Sequence, residues 1–466
     1  MARSIRIGSL PYVEEGSRLF EAVAHWPWSV FLDSGPAGRR HGRYDIIAAN
    51  PMAVLMTRGR LTEIRRERES LLSSADPLEL LGRELGETVE TPDFLPLAGG
   101  CLGYFAYDLA HRLDGRRSAA SGGEGLPEMA VGIYDWVVVI DHQEQQAWLA
   151  SQGQSNETTH MWPELIALFS RPPADKRHRR HRLRVAPGLH SNLDESAYRR
   201  CFDRMMGYLQ AGDCRQVTLS RRFDVSVSGD PWNGYKRLRK LNPAAFGAFL
   251  RLPDCTVLSN SPERFLRVHE GRVEASPVGA ARSRSVDALS DADLMRRLLS
   301  DTREQAASDA LVELMQQDLN RFCRDGTVRV LERHRLESSA HVHHLINRLG
   351  GELDTPYNAL DALRVCFPGA STTGTPRQQA IQIIDEVEPC GRGICSGAIG
   401  YLGGNGHMDL NVAVHTLVHA RGKLQFSAAG NITGDSAPAD SYAETTERAD
   451  NLMQLLTLRE VGHARD

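Results

Sequence analysis

The chain has 466 residues, enough for one very large domain or two to three ordinary ones, with 41% hydrophobic and 24% charged residues, the proportions of a soluble globular protein. A net charge of −4 leaves no global footprint for nucleic acid, and no apolar run reaches the length of a membrane span. The N-terminus MARSIRIGSLPYVEE has no apolar signal-peptide core, and the eight scattered cysteines read as reduced thiols of a cytoplasmic protein.

Short apolar runs at Trp28–Asp33 and Tyr44–Ala49 predict strands, and residues 75–87 a helix. Leu97–Leu109 reads as strand and turn, and Met129–Asp141 as a single buried strand. Arg171–Arg184, RPPADKRHRRHRLR, is a basic, proline-led stretch that reads as a solvated linker. Ser191–Gly212 predicts a helix, with a capping-box-like start at Ser191 and Asp194 and a stop at Gly212. Alternation from Val217 to Val227 predicts a strand, and hairpins follow at Phe246–Leu252, Thr256–Leu258 and Phe265–Val268. Helices are expected within Asp291–Ser300 and Glu304–Phe322.

The chain is organised around Arg364–Pro389. There a glycine- and threonine-rich turn, Phe367–Thr375, opens into a helix with Pro376 at its first position. Hydroxyls and backbone N–H groups then converge on the positive end of a helix dipole, which suits a carboxylate or phosphate. Ala398–Leu402, Met408–Val418 and Leu424–Ala429 are expected as strands, and Tyr442–Leu456 as a closing helix. Strands and helices in separate blocks argue for an α+β layered fold.

The stretch FPGASTTGTPRQQAIQIIDEVEP resembles the FPGGSITGAPK-AM-IIDELEP signature of the chorismate-utilising enzymes, in particular component I of aminodeoxychorismate synthase and of anthranilate synthase. FLDSG, RYDIIAANP, GYFAYDLAHRL and LPEMAVGIYDWVVVIDH resemble the N-terminal half of the former. The resemblance covers nearly the whole chain and is strongest over 191–456. It implies one large domain of two facing, mainly antiparallel sheets flanked by helices. Along the sequence it divides the chain into an N-terminal region (1–170), the basic linker (171–190) and a chorismate-binding region (191–458).

The resemblance also assigns residues. Glu263 in SPERF matches a general acid/base and His344 in HVHHL a histidine facing the leaving group. Thr373 and Gly374 match a carboxylate-binding loop, Tyr401 a substrate contact and Glu444 in YAETTER a magnesium ligand. Gly430 lies in the segment matching GGGIV, and Arg448 stands where the family has lysine. Ser34, Pro243 and Phe246 match a tryptophan-sized pocket. Gln216 stands where the water-using branches carry a lysine base, which points to the ammonia-using branch.

Several positions depart from the family pattern. A family lysine is Gly279, a substrate-bonding threonine is Ala281, a second magnesium-ligand glutamate is Ala307, and a carboxylate-gripping arginine is His415. The magnesium ligand set is thus incomplete. His341, His343 and His344 are clustered, but two of the three alternate across a strand, so they are not taken as a metal site. Gly99–Gly103, GGCLG, fits a glutaminase elbow, yet no HxE-type partner follows, and the family has this segment without a thiol.

The implied activity is amination of chorismate at C4, with ammonia from a separate glutaminase subunit, toward 4-aminobenzoate and folate. A catalytically degenerate relative that binds a ligand or regulates a partner, and an anthranilate synthase-like activity, remain alternatives.

Overall fold

The computed structural model describes residues 5–35, 42–116, 125–171, 182–338 and 342–457. His341 and most of the basic linker fall outside them. All strand pairs among the described residues are antiparallel and form one 13-stranded and one 12-stranded sheet. The sheets face each other across a buried layer that takes Val30, Val139 and Val257 from the first and Leu102, Tyr104 and Ile399 from the second. On the outer side of the first sheet pack helices Asn156–Ser170, Pro231–Leu241 and Pro438–Thr457. On the outer side of the second pack Pro77–Leu85, Thr302–Leu319 and Ala359–Cys366. The α+β expectation of two facing sheets flanked by helices holds.

In each sheet the strands before the linker form one block and those after it another, and the two blocks are joined by a single strand pairing. Strand Ser29–Asp33 pairs with Phe246–Arg251, and Gly100–Phe105 with Ala398–Gly403. Hydrogen-bonded pairing thus runs without a break from one block into the other in both sheets. No helix among the described residues is long and apolar enough to cross a membrane, and all eight cysteines are free thiols.

Two apolar runs expected as single strands each break in two. Met129–Tyr134 belongs to the second sheet and Trp136–Asp141 to the first, with Asp135 at the crossing. Asp135 accepts hydrogen bonds there from the Ser151 hydroxyl and the Gln154 amide. Met408–Val412 and Thr416–Ala420 likewise lie in different sheets. Continuous apolar patterning marks strands covered on both faces and carries no signal for a change of sheet.

Helix Glu195–Ala211 starts from Asp194, whose carboxylate accepts the Ala197 N–H at 2.7 Å, and ends at Gly212 with φ 83°. Ser191 instead pairs with Phe223 in a two-residue strand. Pro376 also shifts by one: it is the extended cap residue before helix Arg377–Val387. The signature turn contains a short 3-10 helix, Ala370–Thr372, and a two-residue strand, Gly374–Thr375, paired with Gln216 and Val217. At Gly374, φ is 144° and a Cβ would lie 2.2 Å from the Gln216 carbonyl oxygen, so glycine is required.

Candidate functional site

The chain passes between the sheets at two corners that touch. Glu263 sits between strands Thr256–Ser261 and Arg264–His269, and His415 between Met408–Val412 and Thr416–Ala420. The Val412 N–H donates to the Glu263 carbonyl at 3.1 Å, and the Ser261 hydroxyl to the Val412 carbonyl at 2.6 Å. Glu263 is 5% exposed. Its carboxylate accepts the Val278 N–H at 3.2 Å, and burial pushes its pKa up to about 7. The space beside it, lined by Pro277, Met315, Ser371 and Val412, is about 10 Å³, about one water.

His344 is the cross-strand partner of Ala281, three residues along from Val278 on the same strand. Burial, reinforced by His343 and Arg448, lowers its pKa to about 4. His415, at φ 48°, is lowered to about 4 by burial, with His344 and Arg448 adding. Two neutral imidazoles therefore share a neighbourhood with one guanidinium. Arg448 donates to the Ala429 carbonyl and to the carboxylate of Glu444. Gly430 completes the group: a Cβ there would lie 2.8 Å from the Ser441 hydroxyl and 3.6 Å from Glu444 Oε2.

Thr373 is fully buried, its hydroxyl donating to the Gly369 carbonyl at 2.9 Å. The turn is held from beneath by Arg392, a residue that no motif in the chain singles out. Its guanidinium forks onto Glu388 (3.0 and 2.6 Å), donates to the Thr372 and Thr218 carbonyls, and lies 4.7 Å from the Tyr107 ring. Polar atoms of Gln216, Ser371 and Thr375 are buried here without a hydrogen-bond partner.

At Gly279 the structure adds a fact that the sequence lacks. A Cβ would lie 2.2 Å from the Ser308 hydroxyl, which itself accepts the Asn347 amide at 2.6 Å. Helix Thr302–Leu319 thus packs directly on Gly279.

Magnesium needs carboxylates and oxygen donors in near-octahedral array. Glu444 is engaged by Arg448, Glu304 pairs with Arg282, Glu313 is exposed, and position 307 is alanine. Among the described residues no three His, Cys, Asp or Glu side chains come together. These residues do not fit a protein-held magnesium ion.

A second cavity, about 340 Å³, lies between the sheets. Ser34, Phe246 and Tyr401 all line it. Pro243 is half-buried in the turn before Phe246 and is not among the lining residues. The Ser34 amide and hydroxyl both donate to Asp45 Oδ1 at 2.8 Å. Arg264 lies over the Phe246 ring and pairs with Asp409 at 2.9 Å. Cys101 is buried inside strand Gly100–Phe105, and burial raises its thiol pKa, so no nucleophile elbow is present.

The chorismate binding enzyme family matches over residues 29–454. The chain is 35% identical over 457 residues to aminodeoxychorismate synthase component 1 of Klebsiella aerogenes, covering 96% of this chain and 98% of that one. It is 30% identical to anthranilate synthase component 1 of Mycolicibacterium smegmatis, covering 92% and 85%. Its fold superposes on the crystal structure of anthranilate synthase component I from Streptococcus pneumoniae with a TM-score of 0.79, at 26% identity and covering 88% and 92% of the two chains. The signature turn, the buried glutamate at a sheet crossing and this end-to-end similarity have one explanation: the chain belongs to the chorismate binding enzyme family.

Proposed function

We propose that the protein acts as component 1 of an aminodeoxychorismate synthase in the cytoplasm, taking ammonia from a separate glutaminase subunit. The observation that carries this is the 35% identity over nearly the full length of the Klebsiella relative. The overall reaction replaces the C4 hydroxyl of chorismate by an amino group and releases water. Glu263 is suited to give the departing hydroxyl its proton, because burial keeps it protonated up to about pH 7. His344 is neutral at that pH and can orient the same hydroxyl by a hydrogen bond. For a substrate carboxylate to be held at Thr373 and Gly374, the Thr373 hydroxyl would exchange its bond to the Gly369 carbonyl for one to the substrate. Free, scattered thiols, with Cys101 sealed in a strand, accord with ammonia made elsewhere.

A degenerate, ligand-binding relative is the second reading. It is favoured by the closed space beside Glu263 and by Ser308 packed on Gly279. Incubation with chorismate, magnesium and a high concentration of ammonium salt, read by mass spectrometry, separates the two. Aminodeoxychorismate is the expected product. Anthranilate would move the amination to C2, and unconsumed chorismate beside an active control enzyme would replace the proposal by the second reading.

A further inference from the structure

His343 and His344 are neighbours on strand Val342–Glu352 and point to opposite faces. His344 serves the site above, while His343 faces helix Ala288–Ser300 and is fully buried. Its Nε2 lies 3.0 Å from Asp291 Oδ1, and its Nδ1 lies 2.7 Å from the hydroxyl of Ser338, its exposed cross-strand partner.

With the ring neutral, the donor and acceptor pattern is fixed. Asp291 accepts from Arg284 through Nε (3.1 Å) and Nη2 (2.8 Å) and from the Ser285 amide (3.0 Å). These bonds hold its pKa at about 2, Arg284 contributing most. An ionised carboxylate only accepts, so Nε2 carries the imidazole proton and Nδ1 is left to accept from the serine hydroxyl.

We propose that Ser338, His343 and Asp291 form a nucleophilic serine site, separate from the chorismate site, that reacts with activated acyl and phosphonyl esters. The imidazole is mounted in the reverse sense to the hydrolase triad, in which the carboxylate takes Nδ1, but the roles are the same. The nucleophile is at the surface, the base is buried behind it, and the carboxylate fixes ring and tautomer. With an ester, Ser338 Oγ bonds to the carbonyl carbon and the alcohol leaves, taking the serine proton by way of His343 Nδ1. Water then releases the acid and restores the serine. With a fluorophosphonate, an oxygen–phosphorus bond replaces the phosphorus–fluorine bond. Fluoride leaves with its electron pair and the proton goes through Nδ1 to solvent.

The test is treatment of the purified chain with a fluorophosphonate, followed by intact-mass measurement and peptide mapping. One adduct is expected on Ser338, absent in Ser338→Ala. The labelling rate should fall by roughly 100-fold in His343→Gln, the scale of a lost general base, and by about tenfold or more in Asp291→Asn. Circular dichroism checks that each variant is folded. If the buried substitutions unfold the chain, the wild-type labelling decides: Ser338 must outpace every other exposed serine by roughly 100-fold. No adduct on folded wild-type protein, an adduct elsewhere, or rates unchanged in the variants would overturn the site. The chorismate assay is unaffected by either result.

Discussion

Arg264 is a shared wall: the cavity beside Ser34 lies on one side and the space beside Glu263 on the other. The first is about 340 Å³ and the second about 10 Å³. At the large cavity, polar groups meet partners within the protein: Ser34 with Asp45, Arg264 with Asp409, Asp33 with Arg239. Arg348 Nε at the large cavity, and Gln216, Ser371 and Thr375 around the signature turn, keep buried polar atoms without partners. Each such atom costs roughly 1–3 kcal/mol, so both regions hold polar groups that a ligand could satisfy.

If the closed region is a rigid, built frame, its supports should be costly to remove. Arg392→Met leaves the Glu388 carboxylate, 7% exposed as a residue, buried without its fork. The expected loss is about 3–5 kcal/mol in urea unfolding. A loss below about 1 kcal/mol would mean that the turn holds itself and that the two regions differ less in rigidity than in volume.

Glu263→Gln sharpens the contrast through pH. The folded carboxyl has its pKa raised to about 7 from an ordinary 4.5, so the unfolded chain loses its proton first as pH rises. Stability from the neutral buried carboxyl is complete below pH 4.5 and is lost through about pH 7. The glutamine side chain stays neutral throughout, so the variant should match wild type at about pH 4.5 and exceed it by about 3 kcal/mol at about pH 8. Turnover should meanwhile fall by roughly 100-fold or more. Parallel stability curves for the two proteins would show that Glu263 is solvated.

The smallest effect concerns the closure itself. Gly279→Ala drives a methyl against Ser308 and should cost about 1–3 kcal/mol in thermal unfolding, and less when introduced into a Ser308→Gly background than into wild type. Additive losses in the double variant would place the strain elsewhere.

The layered fold and the signature turn were legible in the sequence because both rest on local patterns: strand blocks, helix blocks, and a glycine-threonine turn before a helix. The sheet crossings at Asp135 and at His415 were not, since an apolar run has the same composition whichever sheet it joins. Tyr401 was associated with the substrate by its motif. Its side chain lines the cavity with Ser34 and Phe246 because the strand Ala398–Gly403 carries it between the sheets. Arg392 was missed because a buried ion pair four residues apart leaves no mark in composition. The contact of Ser308 with Gly279 depends on how a helix seats on a strand, and no spacing in the chain encodes that.

The single pairing that joins early to late strands in each sheet sets a timetable for biosynthesis. Gly100–Phe105 lies between Met129–Tyr134 and Ala398–Gly403, and the latter emerges about 300 residues later, roughly 15–60 s at bacterial or eukaryotic elongation rates. Until then one edge of an entirely buried, apolar strand stands open on the ribosome. The completed protein hides that edge, but the nascent chain must be shielded from its neighbours, and a ribosome stalled midway would release a fragment with a ready template for aggregation.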